Sequence, residues 1–167
     1  MSNDNQFIKT RILAASLIKD GMRIALAHSI TGLSWRTLRE LWEEIHGADV
    51  PPPGRMPCDT LAYIKNGQSS LSLSTVVSVY LSAEKEHRTP TDAFSQAWEI
   101  AKLFSVDGKK IDINAAWYAI RDVKAGLLSW SKCRNCKAEH IFDTGTKKPG
   151  KCPYCGTTGS KMLEVAQ

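Results

Sequence analysis

The run Leu71-Ser72-Leu73-Ser74-Thr75-Val76-Val77-Ser78-Val79-Tyr80-Leu81 can be read in two ways, and the choice sets the fold class. Its alternating leucines and its valines suit a strand, because β-branched side chains pack well on a pleated surface. Its length and its flanks suit a helix. The helix reading is adopted, and it makes the chain mainly α up to residue 128. On the C-terminal side, Thr91 or Asp92 is placed to cap a helix that turns Phe94, Ala97, Trp98, Ala101 and Phe104 inward. Asp112 caps the next, with Ile113, Trp117, Ile120 and Val123 inward and Gly126 as its stop. On the N-terminal side, Pro51-Pro52-Pro53-Gly54 and Pro57 mark a non-helical connector over residues 50–58. Proline removes the helical donor and restricts the residue before it.

Three helices are expected ahead of that connector. Ile8, Ile12, Ala15 and Ile18 recur at helical spacing, and Gly21 stands where the first helix would end. Met22 to His28 gives a short second helix, closed by Ile30-Thr31-Gly32. Ser34 can cap a third whose apolar face is Trp35, Leu38, Leu41, Trp42 and Ile45, ending near Gly47. Residues 22–46 therefore have helix–turn–helix proportions. Recognition helices read base edges from their N-terminal end, and here Arg36, Thr37 and Arg39 precede Glu40, Glu43 and Glu44. Arg36–Glu40 and Arg39–Glu43 also read as ordinary i,i+4 pairs on a bundle surface, and the pattern leaves both open.

From Trp130 onward the pattern changes to short β-like pieces, His140-Ile141-Phe142 among them, divided by Gly, Pro and Lys. Cys133-Arg134-Asn135-Cys136 and Cys152-Pro153-Tyr154-Cys155 fall in this region. Each pair sets two thiolates on one turn, and a hairpin between them would complete a tetrahedral four-sulfur shell suited to zinc. Gly156 after the second pair fits a zinc knuckle, whose backbone amides approach the sulfurs closely. A disulfide pair conflicts with the reducing compartment expected below. A glutaredoxin-type reading of Cys152 and Cys155 lacks the surrounding α/β domain. Four thiolates also leave no open position for catalytic water, so the zinc is expected to be structural, one ion per chain. Its binding energy, about 10–16 kcal/mol for structural zinc sites, exceeds what so small an apolar core could supply. His140 is expected to be a surface strand residue.

The chain has 167 residues, is 43% apolar and 23% charged, and carries a net charge of +5. A chain of this length buries roughly 70% of its unfolded surface and needs no disulfide scaffold. No apolar run approaches the ~20 residues of a membrane span, and the start shows no secretory signal, so a cytoplasmic location is expected without membrane attachment. The charge is unevenly placed. Residues 129–162 hold Lys132, Arg134, Lys137, Lys147, Lys148, Lys151 and Lys161 against Glu139 and Asp143, which accounts for the whole excess. Lysines fixed on a rigid zinc hairpin can meet a phosphate backbone, although solvated loops are also rich in lysine. Cys58 stands alone in the connector and reads as structural. His28, His46 and His87 are scattered, and no glycine-rich phosphate loop occurs, so neither an enzyme nor a small-molecule substrate is expected. The expected division is a helical body over 1–128 (with helices over 70–128), a zinc-ribbon module over 129–162, and a tail over 163–167.

Taken together, several segments resemble the FlhC family, the flagellar master transcriptional activator subunit. They are Leu17-Ile18-Lys19-Asp20-Gly21-Met22-Arg23, the run from Leu33 to Glu44, Pro51-Pro52-Pro53-Gly54 with Pro57, Ala97-Trp98, and Ala125-Gly126-Leu127-Leu128 ahead of the four cysteines. The resemblance implies a mainly helical protein with a four-cysteine zinc site at Cys133, Cys136, Cys152 and Cys155. It also implies a hetero-oligomer with a FlhD-like subunit that binds promoter double-stranded DNA and recruits RNA polymerase. The DNA-contacting candidates come from the residues themselves: Arg36, Thr37, Arg39, Lys132, Arg134, Lys137, Lys147, Lys148 and Lys151. The chain stops soon after the ribbon and its inter-knuckle loop is short. It is therefore as similar to relatives on conjugative elements, which activate transfer genes, as to flagellar regulators. The competing reading is a zinc-stabilised scaffold that binds only protein.

Overall fold

Leu73, Val76, Val77, Tyr80 and Ala83 are all buried, and that i, i+3, i+4, i+7, i+10 spacing belongs to one helical face. In the computed structural model of the chain they lie on a helix, Gly67–Lys85, at the centre of the fold. The structure describes residues 2–49, 51, 60, 67–86, 88–103, 111–143 and 151–157. Pro52, Pro53, Gly54, Pro57, Cys58, His87, Phe104, Lys147, Lys148 and the 163–167 tail lie outside them.

The described elements are α1 (Ser2–Lys19), α2 (Ile24–Thr31), α3 (Trp35–His46), α4 (Gly67–Lys85), α5 (Pro90–Leu103), α6 (Ile113–Lys124), β1 (Leu128–Lys132) and β2 (Glu139–Asp143). The mainly helical fold and the helical reading of 71–81 both hold. Helices α1, α2 and α3 pack together, while α4 packs on α5, α6 and β2. None of the described helices is long and apolar enough to cross a membrane.

Polar side chains stitch the N-terminal helices to the later ones. The indole N–H of Trp98 donates to Asp20 Oδ2 at 2.7 Å, and Lys102 Nζ adds a second bond at 3.1 Å. Asn114 accepts from the Arg23 N–H at 2.9 Å and donates to the Gly21 carbonyl at 3.2 Å, so α6 grips the α1–α2 turn. That turn is a Schellman stop: Gly21 N–H bonds Ile18 O at 2.9 Å and Met22 N–H bonds Leu17 O at 3.0 Å. Gly21 sits at φ +97°, a region glycine enters without a Cβ penalty. Exposed ion pairs such as Arg11–Glu44 (2.8 Å) and Arg36–Glu40 (3.0 Å) contribute at most about 1 kcal/mol each, so the apolar core decides the fold.

Several expectations need correction. The inward face of α1 is Ala14, Leu17 and Ile18; Ile8 is 55% exposed and Ile12 65% exposed. Ile8 lies in the first turns of the helix, where residues 4–9 are all exposed, and Ile12 one turn later still faces outward. Trp35 is exposed too and lies against His28 with ring centroids 4.7 Å apart, leaving Leu38, Leu41 and Trp42 as the buried face of α3. The cap of α5 is Thr89, whose Oγ1 accepts from the Asp92 N–H at 3.2 Å and donates to Asp92 Oδ2 at 2.7 Å. Pro90 then takes the first helical position, where its missing donor is harmless. Thr91 instead donates to Ile30 O at 2.8 Å. His140 is buried rather than a surface strand residue, because its strand lies against α4. The Ser34 cap (Thr37 N–H to Oγ, 3.1 Å) and the Asp112 cap (Asn114 N–H to Oδ1, 2.8 Å) form as expected.

Candidate metal centre and basic surface

The antiparallel hairpin β1–β2 pairs Trp130 with Ile141 and Lys132 with Glu139. It delivers the chain directly into the first cysteine turn at Cys133. Leu128 and Ile141 belong to the same core as the helices, and the Ile141 N–H donates to Ser74 Oγ on α4 at 3.1 Å. The hairpin is thus seated on the body by apolar contact and by a buried hydrogen bond.

Beyond the hairpin the two cysteine turns face each other. Cys133, Cys136, Cys152 and Cys155 place their four sulfurs within 4.8 Å of one another. Contacts run between the turns, with Cys133 Sγ 3.8 Å from Cys155 Sγ and Cys136 Sγ 3.7 Å from Cys152 Sγ. All four are free thiols. A closed set of four converging soft donors can hold a tetrahedral metal ion, and such a set is consistent with zinc. Cys133 and Cys152 are buried, while Cys136 and Cys155 reach the surface.

The environment separates the thiols electrostatically. Burial pushes the Cys152 thiol up to about 12. Hydrogen bonds from the Thr157 side chain and backbone, and from Asn135, bring Cys155 down to about 5. Asn135 Nδ2 lies 3.7 Å from Cys155 Sγ and donates to Thr157 Oγ1 at 3.1 Å, so one side chain ties the two turns together. Asn135 and Thr157 were not singled out from the sequence. Their place beside the cysteines was the available signal, since residues flanking a thiolate are well placed to donate to it.

The predicted cations are distributed over two regions. Lys132, Arg134, Lys137 and Lys151 surround the cysteine turns and are all exposed. Arg36 and Arg39 are exposed on α3, with Arg36 Nε bonded to Glu40 Oε1 at 3.0 Å. Thr37 is half-buried and its hydroxyl lies 2.9 Å from Ser34 Oγ at the helix cap. Helix α3 packs on α1 and α2, whereas the hairpin packs on α4 and α6. The two sets of candidates therefore ride on different parts of the body.

Sequence comparison adds to this geometry. A family model described as "Flagellar transcriptional activator (FlhC)" matches residues 2–161. The chain is similar to the flagellar transcriptional regulator FlhC of Erwinia tasmaniensis, 28% identical over an alignment of 152 positions that covers 86% of this chain and 83% of that protein. Its similarity to the Enterobacter cloacae regulator of the same name is 25% over 161 residues, covering 93% of this chain and 83% of the relative. The corresponding regulator of Gallionella capsiferriformans is 26% identical over 137 residues, 79% of this chain and 74% of its own length.

Proposed function

The chain belongs to the FlhC family of flagellar transcriptional activators, and on that premise we propose that it is a zinc-holding, DNA-binding subunit of a hetero-oligomeric activator. The family is one of transcriptional regulators, not of enzymes. The proposed partner is a FlhD-like subunit, the ligand is promoter double-stranded DNA, and the complex recruits RNA polymerase in the cytoplasm. The promoters served are flagellar or those of conjugative transfer. One zinc ion per chain is held by Cys133, Cys136, Cys152 and Cys155 in a structural role.

The observation that carries the proposal is that the family match, residues 2–161, includes both the four-thiol cluster and the cations around it. Backbone phosphates are recognised by cations held in fixed positions, and each neutralised phosphate adds about 0.9 to the slope of log affinity against log salt. Metal-fixed turns supply such positions. The test is to copurify the chain with its partner subunit and measure promoter-fragment binding across a salt series. Replacing Lys132, Lys137, Lys147, Lys148 and Lys151 together by Ala should weaken binding and flatten that slope. Unchanged affinity and slope would remove the ribbon from the interface.

A second reading, a zinc-stabilised scaffold that binds only protein, draws on α3. Arg36 is engaged with Glu40 and Thr37 with Ser34, as on an ordinary bundle surface. That reading predicts a stable complex with the partner and no salt-dependent DNA binding.

A further inference from the structure

The two cysteine turns repeat one backbone design. In the first, the Lys137 N–H donates to Cys133 O at 2.9 Å and the Cys133 N–H to Ala138 O at 2.8 Å. In the second, Gly156 donates to Cys152 O at 2.9 Å and Cys152 to Thr157 O at 2.9 Å. Both need a left-handed residue directly after the second cysteine. The second turn uses Gly156 at φ +71°; the first uses Lys137 at φ +64°. Among the described residues Lys137 is the one non-glycine with positive φ.

A Cβ built on Gly156 would meet nothing within 4 Å, so the preference for glycine at this turn is conformational and not a matter of space. A side chain can therefore be carried at this position, but only against the backbone preference of an L-residue. Lysine also lacks the short polar side chain with which Asn or Asp offsets that preference. Strain of this kind persists where the surroundings over-determine it, and the two hydrogen bonds of the turn do that here.

The turns also differ in what they present. The first carries Lys132, Arg134 and Lys137, all exposed; the second carries Lys151, Pro153, Tyr154 and Gly156. Tyr154 Oη lies 3.5 Å from Thr75 Oγ1 on α4, so the second turn is directed toward the helical body. We propose that the first cysteine turn, with Lys137 at its left-handed position, is the face of the ribbon that meets DNA phosphates, while the second turn serves as its seat on α4. This rests on the DNA-binding reading above. A rigid turn fixes the root of the Lys137 side chain, which suits a sequence-independent phosphate contact.

The test compares wild type, Lys137→Gly and Lys151→Ala, each as full chain with its partner subunit and bound zinc, on a mixed-sequence DNA duplex. Lys137→Gly should raise the melting temperature by about 2–4 °C, since it relieves the backbone. It should at the same time weaken DNA binding and reduce the salt slope by about 0.9. Lys151→Ala should leave the slope nearly unchanged. The proposal is overturned if Lys137→Gly binds with an unchanged slope, if it melts lower than wild type, or if Lys151→Ala carries the slope change instead. Wild-type protein that shows no salt-dependent DNA binding at all would bring down the DNA-binding reading, and this proposal with it.

Discussion

Asp122 Oδ2 accepts two hydrogen bonds from Thr60, from its N–H at 2.9 Å and from its Oγ1 at 2.6 Å. Both residues are buried, and 62 positions separate them. A single carboxylate on α6 thereby anchors the chain between α3 and α4. Arg121 Nε holds the other oxygen of the same group at 2.8 Å.

Asp122→Ala is expected to destabilise the protein by about 2–3 kcal/mol, because it strands the buried donors of Thr60 without an acceptor. Urea unfolding of the two proteins, with metal content held equal, measures this. Stability within about 0.5 kcal/mol of wild type would contradict the anchor.

The exposed placement of Ile8 and Ile12 makes the opposite prediction. The double substitution Ile8→Asn, Ile12→Asn should change the stability of the chain by no more than about 0.5 kcal/mol per site, as for surface positions generally. Leu17→Ala, one to two turns further on in the buried arc, should cost about 2–5 kcal/mol. Thermal or urea unfolding distinguishes them, and equal losses would contradict the exposed placement of Ile8 and Ile12.

These two cases show what the sequence makes legible. Spacing revealed that α1 is a helix with apolar residues on it. It did not reveal which of them another helix would cover, because that depends on where α1 projects beyond its neighbours. The 71–81 run was ambiguous for a related reason. Buried Ser72 and Ser74 interrupt the apolar pattern, and Ser74 Oγ accepts the Ile141 N–H of the hairpin. The burial of His140 is hidden on the same grounds, since a two-stranded hairpin reads as solvated in sequence until α4 lies beneath it. The cysteine quartet, by contrast, was legible outright, because turn geometry fixes the spacing of the thiols whatever packs around them.

Burial of His140 carries a pH consequence. Desolvation lowers its imidazole from the ordinary 6.5, against the raising effect of a hydrogen bond with the Ala138 backbone. Below pH 6.5 the unfolded chain takes up a proton that the folded chain accepts only at lower pH. The unfolded state then binds more protons, and stability falls as the pH drops through that window. His140→Gln should flatten this dependence relative to wild type between neutral pH and about pH 5. Parallel curves for the two proteins would show that His140 takes no part.

Removing the metal should act on the ribbon first and on the helices second. Cys133→Ser, or a chelator strong enough to compete with four thiolates, should abolish the folded cysteine turns. Because Ile141 is part of the helical core, the melting temperature of the body should fall as well. Metal analysis before and after should read about one zinc ion and none. A Cys133→Ser protein with wild-type folding and no bound metal would refute the structural role.

The most direct test joins the metal to the DNA. The chain–partner complex is stripped of zinc by a thiol reagent, restored by reduction and stoichiometric zinc, and assayed for duplex binding over a salt series at each stage. Binding with steep salt dependence in the zinc-loaded complex, lost on stripping and recovered on reloading, is the predicted result. Equal affinity and equal slope with and without the metal would contradict the claim that a zinc-held ribbon presents the phosphate-contacting surface.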